Sequence, residues 1–391
     1  MSTTQNWKEL SSIYVGCTVC LPVIIIGQEL CLHYGMLAAV ASIFLGNAVL
    51  FCLGWVATLI GAKERRSTPE QAQKIFGTVG GRLFAATMIC SMIVWFAIQL
   101  NVMCDSAQEA LGVPAIVLNI LFGLAITLCA RKGIGALSRM AAMCAPLLAV
   151  TIIWALVQAP IPSMPTVTEW PGLRGVSLVM ATAIAMVIDI PTYFRYARTT
   201  MDGIITNALV FLVALPLVEG IGVYLSAGMT EGTILQALQG SGGTIWCIWI
   251  ALFLLIAGWA SNNTNLFSAV ISAEVLAPTI SHDKRTLALG AFGTLLACLN
   301  VGQHVEQVVT VLGIGVSSMG GAMIAAYLLN STATMRNLFS WSLGYGVGLL
   351  AFFQIITLSD IALLDAFVCS GLTVAALQIV CKKDLELANE I

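Results

Sequence analysis

The sequence predicts an all-α, polytopic membrane protein with twelve transmembrane helices, and three observations carry that prediction. Of 391 residues, 59% are hydrophobic and 9% are charged, against about 25% charged in an ordinary soluble domain. The apolar residues fall in long continuous runs separated by short polar breaks. The basic residues lie almost entirely on one side of those runs. Such sparse charge cannot cover the surface of a soluble protein of this size. With a net charge of -2, it also excludes a disordered chain and an unaided nucleic-acid binder. The runs do not alternate in segments of about ten residues, so a membrane barrel is excluded.

At about 20 apolar residues per span, the predicted spans lie near 13–32, 36–61, 83–104, 114–130, 138–158, 175–194, 204–226, 245–270, 286–301, 306–329, 337–357 and 361–381. Residues 1–12 are short and polar, with no basic region and cleavage site, so 13–32 reads as a first span rather than a removed signal. Sixteen of the seventeen Lys and Arg residues fall in segments on the N-terminal side of the membrane, and only Arg174 falls on the other. By the positive-inside rule both termini are expected in the cytoplasm, with the protein in the cytoplasmic (inner) membrane.

Span 1 carries Pro22 and span 6 carries Pro191. Each proline removes a backbone donor, so each helix is expected to break there. If the first ten spans were two five-helix repeats, these would be the first helices of the two copies. Such paired interruptions point to a transporter site near the membrane midplane. A charge at mid-bilayer costs about 2.5–3.5 kcal/mol on insertion scales. Glu29, Asp189 and Glu219 in spans 1, 6 and 7 are therefore candidates for proton coupling, or else neutral, paired carboxyls.

Span 3 places Trp95 and Gln99 four residues apart on one helical face. An indole stacks a flat ring, and an amide reads its edge; packing alone is the competing explanation. Span 8 contains Ser261, Asn262, Asn263, Thr264 and Asn265 in succession. A lipid-facing helix does not carry such a run, so it is expected to face protein or a water-filled cavity. Hydroxyl and amide oxygens suit a hard monovalent cation, and amides also suit a heterocycle. Helix–helix hydrogen bonding is the alternative. The twelve Cys lie mostly within spans without metal-ligand spacing and read as small apolar packers. His33, His282 and His304 are scattered. No Walker-type phosphate loop and no catalytic constellation is present, so neither an ATP-driven pump nor an enzyme is expected.

Together these residues resemble the nucleobase:cation symporter-1 family, most closely its bacterial cytosine permeases. The resemblance runs from span 1 to Asn330. It rests on Trp259, Ala260, Ser261 and Asn262 in span 8, and on Phe194, Arg195, Tyr196, Ala197 and Arg198 at the end of span 6. It also rests on Gly320, Gly321, Tyr327 and Asn330 in span 10 and on Trp95 and Gln99 in span 3. The resemblance implies a leucine-transporter-type fold: inverted repeats over 1–158 and 159–330, then two helices and a tail over 331–391. It implies alternating access, with a small planar heterocycle held by Trp95, Gln99, Asn262, Asn263 and Asn265. It implies a cation site at Gly16, Val19, Ala257, Ala260 and Ser261. The sequence departs from the family pattern at several points. Ala260 replaces one of two hydroxyls, Asn263 and Thr192 stand where the cytosine permeases have Asp, and Ala183 stands where an aromatic packs on the base. Ser317-Ser318 replaces a proline pair, and Ala326 replaces an Asp. The expected function is a cation-coupled symporter importing cytosine, with no cofactor beyond Na+ or H+ as coupling ion. A hydroxymethylpyrimidine-type thiamine precursor, a purine, a hydantoin or allantoin is the alternative cargo. A membrane-embedded enzyme or sensor is the reading outside transport.

Overall fold

Prolines, glycines and side-chain caps set where the helices begin and end. The computed structural model describes residues 4–158, 172–227, 243–300 and 306–389. Among these residues there is no strand, and one isolated parallel bridge joins Gln5 to Ala197. Residue 159, where the second expected unit begins, Val301 at the end of predicted span 9, and His304 lie outside the described residues.

Helices α1 (Trp7–Thr18) and α2 (Leu21–Tyr34) share span 1 and meet at a bend of 57°. Span 2 is α3 (Met36–Glu64), and span 3 lies within α4 (Thr68–Leu111). Spans 4 and 5 are α5 (Ala115–Ala130) and α6 (Ile134–Gln158). Span 6 is α7 (Gly172–Ile188) followed by the short α8 (Ile190–Phe194). Span 7 is α9 (Thr200–Leu209), a π-helical turn (Val210–Ala214) and α10 (Leu215–Ala227). The last five segments fall on α11 (Gly243–Leu276), α12 (His282–Cys298), α13 (Glu306–Leu328), α14 (Thr334–Phe352) and α15 (Ala362–Asn389). By length and composition, eight described stretches qualify as membrane spans, and the bent α1–α2 pair makes a ninth. The remaining three expected spans coincide with α5, α12 and α14, which are shorter or less apolar.

Two expected boundaries move, for local reasons. The helix holding span 3 starts at Thr68, because Glu70 accepts the Ser67 N–H and hydroxyl at 2.6 and 2.7 Å and caps it. Gly77 (φ 73°, ψ -179°) then interrupts the helix, so residues 68–76 form an arm ahead of the span. Span 11, expected to reach residue 357, stops at Phe352. Past it Gln354 turns with φ 57°, and the buried Asp365 carboxylate accepts the Leu358 and Ser359 N–H groups at 2.8 Å.

At one end of the bundle the N-terminal segment is strapped to the end of span 6. Gln5 gives its N–H to Tyr196 O and accepts from Arg198 N, both at 2.7 Å. Arg65 donates to the Arg195 and Ala197 carbonyls, and Arg195 pairs with Glu70 at 3.0 Å. Trp7 N donates to Asp202 at 3.0 Å, which ties α1 to α9.

Lipid gives helices no hydrophobic reason to associate, so close packing falls to small residues. The crossing of α2 with α10 is the tightest example. A β-carbon on Gly27 would stand 1.8 Å from the Glu219 carbonyl oxygen, and one on Gly222 would stand 1.9 Å from that of Ile24. Gly320 lies as close to Ile188, and Gly321 to the backbone of Phe367. The glycine pair of span 10 is therefore a packing device. Gly220, two residues from Gly222, has open space around it. Gly222→Ala is expected to lower thermal stability in detergent by about 1–3 kcal/mol or more. Gly220→Ala should be neutral or stabilising by up to about 1 kcal/mol. Equal stability of the two variants would contradict the backbone contact.

Candidate functional site

The broken first span exposes backbone groups in the bundle interior. Pro22 has no N–H to offer Thr18, and Cys20 N bonds Thr18 O at 2.9 Å instead. In a continuous helix Cys20 N would serve the Gly16 carbonyl, so that carbonyl is released. Val19, at φ -81° and ψ 76°, and Cys20, extended, make the break. Directly opposite is α11. A β-carbon on Gly16 would lie 3.8 Å from Ala260 Cβ and 3.3 Å from Ala141 Cβ. Ala257, Ala260 and Ser261 are all buried, as are Gly16 and Val19. Gly16 of α1 and Ala260 of α11 therefore meet across one seam, and α6 closes it through Ala141.

The polar run of α11 splits over its circumference. Asn265 Nδ2 donates to Gln99 Oε1 of α4 at 3.1 Å and to Asn262 Oδ1 at 3.3 Å. Asn262 is 0% exposed, and its Nδ2 has no hydrogen-bond partner. A buried amide donor left open in this way is costly unless something accepts it. Trp95, one helical turn from Gln99 on the same face of α4, is partly buried. Structure thus brings Gln99, Asn262 and Asn265 together, with Trp95 on the adjoining turn. Asn263 goes elsewhere: it points at Cys129 of α5, below the edge-to-face contact of Trp259 with Phe122 of the same helix (6.0 Å). At about 100° per residue, one helix cannot aim four successive side chains at one site.

The three membrane carboxyls have three different settings. Asp189 sits in the break of span 6, between α7 and α8, with φ -88° and ψ 1°. It accepts from Thr192 at 2.6 Å and from Ser268 of α11. The Tyr193 hydroxyl lies 2.9 Å from that of Ser268 and donates to Thr264 O at 2.8 Å. Thr264 Oγ1 in turn donates to Ser261 O at 2.6 Å. A run of hydroxyls and carbonyls thus joins Asp189 to the rim of the α1–α11 seam. The tight Thr192 N to Asp189 O turn (3.0 Å) frees the Ile188 carbonyl, which accepts the Thr68 hydroxyl at 3.2 Å. Glu219 is 0% exposed and bonded to Asn47 of α3. Glu29 is exposed, with its helix turning it out of the bundle, so the structure does not bring it to any interior site.

Sequence reading missed Thr68, Tyr193, Ser268 and Asn47. Tyr193 and Ser268 were legible in principle as polar groups inside spans 6 and 8. Asn47 sits alone in an apolar span, which is itself a signal. The serines of Ser317-Ser318 donate to the Leu363 and Trp341 carbonyls at 2.6 and 2.7 Å. They bind α13 to its neighbours and lie apart from the amide cluster.

Comparisons with known proteins bear on this arrangement. No curated protein sequence matches the chain. Among solved structures, the fold is similar to Mhp1, a nucleobase-cation-symport-1 family transporter, in a closed conformation with bromovinylhydantoin bound. That match has a TM-score of 0.78 at 15% identity and covers 97% of this chain and 94% of that one. The inward-facing conformation of Mhp1 scores 0.71 at 16% identity, over 97% and 93%. A Na+-coupled sialic acid symporter in a substrate-bound outward-open state scores 0.73 at 14% identity, over 97% and 90%. At these identities the likeness establishes the fold: a polytopic, all-helical transporter architecture. A family model described as permease for cytosine/purines, uracil, thiamine, allantoin matches residues 1–338. With 338 of 391 residues matched, the chain belongs to this family of membrane permeases, which is not a family of enzymes.

Proposed function

We propose that this permease is a cation-coupled symporter that imports cytosine by alternating access. The observation that carries the reading is the amide cluster of Gln99, Asn262 and Asn265, with its open Asn262 donor, between α4 and α11. Asn263 is the weakest of the expected substrate residues, since it faces α5. Trp95 supplies the stacking surface. The Gly16, Val19, Ala257 and Ser261 positions hold the coupling cation, with carbonyl oxygens from the broken helix and a hydroxyl from α11. Sodium suits such oxygen donors, and Asp189 is the buried carboxyl that would take the proton if H+ were the coupling ion. The first ten spans form two inverted repeats, over 1–158 and 159–330, because each begins with a proline-broken helix. Both termini lie in the cytoplasm of an inner-membrane protein, as the basic residues direct.

A second reading has its own observation. Ala183 stands where related permeases place an aromatic, which supports a heterocycle other than cytosine. A hydroxymethylpyrimidine, a purine, a hydantoin or allantoin is then the cargo. Mhp1 was solved with bromovinylhydantoin bound, which supports this second reading.

Uptake of labelled heterocycles into proteoliposomes, under separate sodium and proton gradients, decides between these cargoes. Stacking of a base on an aromatic ring is worth about 1–3 kcal/mol. Trp95→Ala should therefore weaken apparent affinity by about 5- to 150-fold without loss of folded protein, and unchanged saturable uptake would remove Trp95 from the site. Ser261→Ala should blunt the sodium response of uptake. A full sodium response in that variant would count against a ligand role for its hydroxyl.

A further inference from the structure

We propose that Glu219 and Asn47 form a proton site of the transport cycle, separate from the amide cluster and the α1–α11 seam. The proposal rests on the transporter reading but not on any particular cargo.

Glu219 is 0% exposed and Asn47 1%. Asn47 Nδ2 donates to Ile43 O at 3.0 Å and to Glu219 Oε2 at 2.6 Å, which uses both of its hydrogens. Glu219 Oε1 and Asn47 Oδ1 are buried acceptors with no partner. The pair thus has two open acceptors and no donor left, and as a carboxylate it would add an uncompensated charge. Buried charges are normally paired, and buried polar atoms normally bonded. One proton on the carboxyl removes the charge and supplies the missing donor.

No cation in the neighbourhood does that work. Asn47 is the one polar side chain bonded to Glu219 among the described residues, and no ion pair involves it. From α2 come Glu29, which is exposed, His33, bonded to the Glu29 carbonyl, Tyr34, beside the His33 ring, and Cys31. From α3 comes Cys52, exposed, with Lys63 and Glu64 at the far end of the helix. From α1 come Tyr14, packed on Tyr193, and Cys17, bonded to the Tyr14 carbonyl, with Lys8 and Glu9 in the first turn. From α6 come Arg139 and Cys144, bonded to Gly135 O and Met140. Tyr224 lies on α10 itself, and the π turn carries no titratable residue.

The placement ties this proton to movement. The Glu219 main-chain carbonyl lies where α2, the second half of the broken span, crosses α10 at backbone contact, while its carboxyl meets Asn47 of α3. A displacement of α10 from these two neighbours lets water reach the carboxyl, and only then does the charged form become affordable to the bundle. Protonation therefore favours the packed seam, and a packed seam favours the proton, by the same coupling energy.

Infrared difference spectroscopy of the purified protein tests this without any cargo. A protonated-carboxyl carbonyl stretch is expected in the wild type, shifted by Asn47→Ala and absent in Glu219→Gln. A wild-type spectrum without such a band, or a band unaffected by either variant, would overturn the proposal. So would a band that sodium abolishes at constant pH, because the pair would then be a sodium site. In proteoliposomes at fixed sodium, an inward gradient of about one pH unit should raise wild-type accumulation up to about tenfold per coupled proton. Glu219→Gln should lose that response while still exchanging labelled substrate, and a variant with the full response would sink the coupling role. If Glu219→Gln does not fold, the wild-type band and its shift in Asn47→Ala still decide. Absence of uptake of every heterocycle by the wild type would strike the cargo reading and leave the band test standing.

Discussion

A peptide N–H or C=O without a partner costs several kcal/mol in hydrocarbon, and this protein breaks two of its membrane helices. How those freed groups are handled shapes the interior. In span 1, Cys20 turns back to serve Thr18, and the Gly16 carbonyl loses its helical partner. In span 6, the Ile188 carbonyl is released and taken by Thr68, while Asp189 in the break collects hydroxyls from Thr192 and Ser268. One break is sealed by side-chain hydroxyls, which makes it a structural joint with a carboxyl in it, whereas the other rests on a tight backbone turn.

The joint at span 6 explains what its aromatic-arginine segment does. Arg195 pairs with Glu70, and the carbonyls of 195 and 197 are held by Arg65. Gln5 bonds both flanks of Ala197, so the N-terminal segment is stitched to the same loop. Through Trp7 and Asp202 the stitching reaches α9. These contacts gather α1, α3, α4, α8 and α9 at one end of the bundle. Of these, the Gln5 and Trp7 bonds are the ones that hold the N-terminal segment and α1, and the exposed ion pairs among the rest are individually weak.

Much of this was readable from residues alone. Continuous apolar runs marked nearly every helix, and Pro22 and Pro191 marked both breaks, because a missing N–H is a local property of the chain. The polar run of span 8 announced a buried polar face, since lipid rejects such a run. Less readable were the partners. Nothing local to Asn47 says that it meets Glu219, 172 residues away. Nor does Asn263 differ from Asn262 or Asn265 in composition; only the helical phase against α4 and α5 separates them. Glu29 looked like its two fellow carboxyls, yet α2 presents it outward.

By itself, then, the sequence determined a membrane-spanning helical chain, the positions of its interruptions and the chemistry available inside it. These follow from transfer costs and backbone donors, which each residue carries wherever it sits. Tertiary structure alone decided which polar groups face one another. It divided the α11 run between an amide cluster with Gln99 and a contact with α5. It set Gly16 against Ala260, sank Asp189 among hydroxyls and left Glu219 with one amide and an open oxygen. Those outcomes depend on helix rotation and crossing. In lipid these are set by which small residues permit contact, and no stretch of chain encodes that on its own.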